Sequence, residues 1–86
     1  MTYKDFQSLK HDKKFSIGKF SDNLFAFETK SGYGCVPEYR KLSKAEFNTF
    51  DIWRTDREKI KDILKRPIFC SGYEGETDFD EREILK

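Results

Sequence analysis

Apolar positions follow two regimes along this chain. In the first half they alternate or come in short bursts, and in the second they recur at helical spacing. Thr2-Tyr3-Lys4-Asp5 has the form of a helix start, with Asp where Glu or Gln is usual. Tyr3, Phe6 and Leu9 follow three residues apart, so the spacing predicts a short first helix over residues 3–10. His11-Asp12-Lys13-Lys14 then reads as a polar break.

Phe15-Ser16-Ile17-Gly18 alternates as a strand does, and Phe20 continues it in shifted phase. Ser21-Asp22-Asn23 is turn chemistry, because short side chains of this kind bond their own backbone. Leu24–Thr29 reads as a second strand with Phe25 and Phe27 on one face. Ser31-Gly32-Tyr33-Gly34 is the next turn. Cys35-Val36 begins a third short strand, with Pro37 marking its end or a sheet edge. Connections this short allow antiparallel neighbours only, so these strands form a meander.

Ser43-Lys44-Ala45-Glu46 is a capping box, in which hydroxyl and carboxylate satisfy the free donors of a helix start. Phe47 and Phe50 follow it. Thr55-Asp56-Arg57-Glu58 is read as a second capping box, after which Ile60, Ile63 and Leu64 share one face until Pro67 ends the run. Ile68-Phe69-Cys70 returns as a fourth strand, and Ser71–Gly75 turns. Thr77 and Asp80 could cap a last helix, or the acidic residues from 74 to 86 form a loose tail. These elements predict one α+β domain over residues 1–86: a small antiparallel sheet of 3–4 short strands packed against 2–3 short helices.

Composition sharpens this picture. Aromatics make up 16% of the chain and charged residues 38%, so the nine Phe must supply much of the buried area. A domain of 86 residues is marginal alone, and a homodimer is expected. The net charge of +1 hides an asymmetry. Residues 1–73 hold 15 Lys and Arg against 10 Asp and Glu, while residues 74–86 hold two against six. The mildly basic body suits a phosphate ligand better than long duplex DNA, where many phosphates must be neutralised. The start lacks the apolar stretch of a signal peptide, and no apolar run approaches a membrane span. Cys35 and Cys70 stand in no metal-type spacing, and free thiols in the cytoplasm are the expectation.

Catalysis finds little to work with. His11 is the only His and lies among Lys residues. No zinc spacing or phosphate-binding loop of the nucleotide hydrolases is present. The sequence predicts a binding protein rather than an enzyme, with neither metal nor cofactor. Two Gly-Tyr turns could aim backbone N–H groups at phosphate, with Gly32, Gly34 and Gly72 letting the backbone approach. Tyr33 and Tyr73 would stack on bases, and Arg40, Arg54 and Arg57 would meet phosphate in forked hydrogen bonds. A plainer alternative stands beside each of these. The glycines permit hairpin turns, the tyrosines cover the edge of the core, and Trp53 and the two cysteines belong to the core. The carboxylates from Glu74 to Glu83 admit a further alternative, imitation of nucleic-acid phosphates in a partner's basic groove.

In composition, along its whole length, the chain resembles the short early accessory proteins of T-even-type tailed phages. Those proteins are rich in Lys, Phe, Tyr and Asp, poor in Ala and Pro, and without enzyme motifs. The resemblance implies a counter-defence role in the host cytoplasm. One such kind sequesters the cyclic oligonucleotide signal of the CBASS defence, holding a cyclic dinucleotide between aromatic and Arg side chains, often across a subunit interface. Another kind inhibits a host or defence enzyme by protein–protein contact, as anti-CRISPR proteins do. RNA binding through the basic first 73 residues is a third expectation.

Overall fold

The computed structural model describes residues 1–31, 36–72 and 78–85. Five strands, β1 (Gln7–His11), β2 (Phe15–Ser21), β3 (Leu24–Ser31), β4 (Val36–Leu42) and β5 (Ile68–Ser71), pair in that order. Every neighbouring pair is antiparallel. Between β4 and β5 run three short helices, α1 (Lys44–Asn48), α2 (Phe50–Trp53) and α3 (Arg57–Leu64). A fourth, α4 (Glu81–Ile84), ends the described chain. The α+β class and the antiparallel meander therefore hold, with one strand and one helix more than the upper expectation.

The extra strand is β1, where the spacing predicts a helix. Thr2 and Asp5 do form a capping box, but it closes only a 3₁₀ turn over Tyr3–Asp5. Phe6 leaves that turn extended, at φ −69° and ψ 129°, and Gln7 pairs with Lys19 of β2. Ladder pairing with β2 outweighs the helical spacing, which only Tyr3, Phe6 and Leu9 support.

Alternation along β3 sorts the core into two halves. Phe25 and Phe27 face α1–α3, where they join Phe15, Ile17, Leu42, Phe50, Trp53 and Ile63. Leu24 and Ala26 face the other side, with Phe20, Tyr39 and Cys70. The phase shift at Phe20 is a bulge, since the register slips between Lys19 and Ser21 and turns Phe20 to the second face. Rings fill the helix side: Phe15 stacks on Phe27 at 4.6 Å, and Phe50 meets Trp53 edge-on at 5.3 Å. Trp53 belongs to this core, and its indole N–H donates to the Glu46 carbonyl at 2.8 Å.

Both ends of the chain cover the second face. Tyr3 and Phe6 pack there from one end, Phe79 and Ile84 from the other. The N-terminal ammonium donates to the Phe79 carbonyl at 2.9 Å, and the Phe79 N–H donates to the Met1 carbonyl at 2.7 Å. Ser21 donates to Glu81, and Lys41 donates to the Ile84 carbonyl.

Two more expectations change. The third strand does not stop at Pro37, because β4 runs through it, with Pro37 opposite Lys30. The Pro37 carbonyl accepts from the Gly72 N–H. N–H and C=O of one residue point to the same side of an extended strand, so the donor that Pro lacks is not missed by the β3 ladder. The second capping box does not form, and a simple N-cap one residue later takes its place. Asp56, not Thr55, caps α3, accepting from the N–H groups of Glu58 and Lys59. Cys70 is buried, which pushes its thiol up to about 11, whereas Cys35 lies outside the described residues. No helix among the described residues is long and apolar enough to cross a membrane.

Candidate functional site

The turn between β1 and β2, residues 12–14, stands at one end of the sheet. Antiparallel pairing places the end of β3, the start of β4 and the end of β5 at this same end. The segments 32–35 and 73–77 leave from these strand ends, so the described flanks of the two Gly-Tyr turns sit on adjacent strands. The residues Gly32, Tyr33, Gly34 and Tyr73 themselves lie outside the described residues.

Two clefts open on either side of the 12–14 turn. The larger, about 530 Å³, lies on the sheet face opposite α1–α3 and is lined by Ser8, His11, Lys13, Lys14, Ser16, Glu28 and Lys30. The smaller, about 290 Å³, lies on the helix side, with Phe15, Phe27, Thr29, Ile60 and Leu64 as its floor and Lys13, Lys14 and Arg54 at its rim. Asp12, Lys13, Lys14 and Phe15 belong to both. Asp12 is committed locally: its carboxylate accepts from the Lys13 N–H at 2.7 Å and meets Arg54 Nε at 3.4 Å. Among the described residues Lys13, Lys14 and Lys30 enter no ion pair. Positive charge from three separate stretches of chain therefore surrounds two joined clefts, an arrangement that attracts an anion.

The larger cleft also holds an ordered polar file. Glu28 accepts from Ser16 Oγ at 2.8 Å and from the Tyr39 hydroxyl at 2.7 Å. Tyr39 is buried, and burial together with this carboxylate raises its hydroxyl pKa far above the usual tyrosine value, so it stays a donor. At the mouth, Ser8 Oγ lies 3.4 Å from His11 Nδ1. His11 and Ser16 face each other across β1 and β2.

The remaining sequence candidates fall differently. Arg54 is on the rim of the smaller cleft. Arg40 stands behind it in β4, its Nε donating to the Arg66 carbonyl at 3.1 Å and its Nη1 reaching Thr29 Oγ1 at 3.4 Å. Arg57 is exposed at the start of α3 and lines neither cleft. Gly72 lets β5 pass close to a neighbour, since a Cβ there would meet the Pro37 ring at 2.9 Å. Lys13, Lys14, Lys30, Ser16 and Glu28 were not singled out by the sequence. Their signal is weak, because β1 carries one apolar residue, Leu9, and that residue is exposed. Without β1, the polar break at 11–14 could not be recognised as a hairpin turn.

Known relatives offer no guide. No family model, curated protein or solved structure matches the chain.

A third cleft, about 560 Å³, is lined by Lys41, Leu42, Glu46, Arg66, Phe69 and Ile84. Its charged groups are already engaged. Arg66 grips Glu46 in a forked pair at 2.8 and 2.7 Å, and Lys41 donates to the Ile84 carbonyl at 3.0 Å. It offers less for orienting a polar ligand than the basic end does.

Proposed function

We propose that the protein is a non-catalytic binding protein for a compact phosphate-bearing ligand, taken up at the basic end of the sheet. One observation carries the reading: Lys13, Lys14, Lys30 and Arg54 converge on two clefts that share the 12–14 turn. Phosphate supplies the counter-charge that Lys13, Lys14 and Lys30 lack among the described residues, and the clefts suit a nucleotide in size. The mildly basic body points to the same class of ligand. Within that class the compositional resemblance favours a cyclic oligonucleotide, withdrawn from a host's defence signalling by a phage-type counter-defence protein in the host cytoplasm. A homodimer would bring two such ends to one ligand.

Thermal unfolding of the purified protein against a panel of cyclic and linear nucleotides tests this reading. A ligand held only by the folded state stabilises it by about 2.7 kcal/mol at a hundredfold excess over Kd. A rise in Tm with a cyclic nucleotide, absent with inorganic phosphate, is the expected outcome. No rise with any nucleotide would overturn the reading in favour of a protein–protein inhibitor of a host or defence enzyme.

A further inference from the structure

We infer that the larger cleft reads guanine, with Glu28 pairing with the donor edge of the base and Lys14 and Lys30 meeting the phosphate. This inference rests on the phosphate-ligand reading and names the base. Glu28 sits half-buried on β3 and lines the cleft beside Ser16, Lys14 and Lys30. Its two oxygens accept from Ser16 and Tyr39, and both donors are neutral hydroxyls. Ser16 is 7% exposed and Tyr39 2%, so the packed core fixes both and they hold the carboxylate in one orientation. Each carboxylate oxygen accepts more than one hydrogen bond, so capacity remains for a ligand. Among the described residues no cation pairs with Glu28.

A half-sunk carboxylate supported only by neutral donors favours a ligand that brings N–H groups. An ammonium, a guanidinium or a metal ion would bring positive charge into a cleft that already holds Lys13, Lys14 and Lys30. A neutral edge with two parallel N–H groups avoids that repulsion. Among the four RNA bases only guanine has two adjacent donors, N1–H and the N2 amino group, on the edge read in base recognition. Adenine places an acceptor where guanine has N1–H, and that acceptor would face the carboxylate. Lys30 lies two residues beyond Glu28 on the same face of β3, about 7 Å along the strand, and extends the site toward the phosphate.

Titration calorimetry with guanosine, inosine and adenosine monophosphates, and with the guanine and adenine cyclic dinucleotides, tests the inference on the ligand side. Guanine forms should bind at least about tenfold tighter than adenine forms, with inosine, which keeps N1–H and lacks the N2 amino group, in between. Glu28→Gln should remove this preference and leave a weaker binding common to all of them. Equal affinity for guanine and adenine forms would overturn the guanine inference while leaving the phosphate reading standing. A guanine preference that survives in a folded Glu28→Gln variant would overturn the role of Glu28. Failure of every nucleotide to bind would remove both.

Discussion

Glu46 accepts from both terminal nitrogens of Arg66 and from the Ser43 N–H, and its side chain also pairs with Lys59. The forked pair with Arg66 is the main cause holding its carboxyl well below the usual carboxylate range; burial opposes it, and Lys59 and Ser43 add to it. A group whose folded pKa is depressed contributes stability above its unfolded value, here 4.5, and loses that contribution as pH falls toward the folded value. Glu46→Gln should therefore cost about 2 kcal/mol at neutral pH, and the gap to wild type should close progressively below pH 4.5. Urea unfolding of both proteins from pH 7 to pH 2 checks this. A gap of constant size would show that the Arg66 pair contributes through packing rather than charge.

At the scale of elements, β1 and the N-terminal turn depend on one bare backbone position. A Cβ on Gly18 would lie 1.8 Å from the Gln7 carbonyl oxygen and 3.0 Å from the Phe6 ring. Gly18→Ala should lift β1 and Phe6 from the sheet and uncover Phe20 and Tyr39, which meet Phe6 at 5.3 and 4.8 Å. The expected signature is loss of hydrogen-exchange protection in β1, with β3 and β4 still protected. Unchanged protection would show that β1 adapts around the added methyl group. Element legibility followed local chemistry. Ser43 and Glu46 cap α1 as a capping box predicts, and Phe25 and Phe27 of β3 share the face their alternation assigns. At α3 the side chain that reaches the free N–H groups is Asp56, one position after Thr55. By contrast, β1 was illegible: Gln7, Ser8, Lys10 and His11 carry no apolar alternation, and only pairing with β2 makes them a strand.

The whole molecule is a sheet with its larger helices on one face and both chain ends on the other, at a radius of gyration of 12.2 Å. A packed 86-residue domain should have about 12 Å, so the single chain is already compact. This architecture gathers Lys13, Lys14 and Lys30, which enter no ion pair among the described residues, at the 12–14 end of the sheet. Of the residues that sequence chemistry singled out, Arg54 reaches that place. The lysines do not announce themselves in the sequence, because Lys13 and Lys14 are forty or more positions from Arg54 in the chain and only the fold brings them to one cleft with it.

The most direct test of the basic end is calorimetric titration of a cyclic dinucleotide into wild-type protein and into a Lys13→Ala, Lys14→Ala, Lys30→Ala variant. All three lysines are at the surface, and none enters an ion pair among the described residues, so the variant should keep the wild-type Tm without ligand. Binding by wild type that weakens with added salt, and weakens at least about tenfold in the variant, is the predicted result. Equal affinity of the two proteins would contradict it and place the ligand elsewhere, and no binding by wild type would remove the nucleotide altogether.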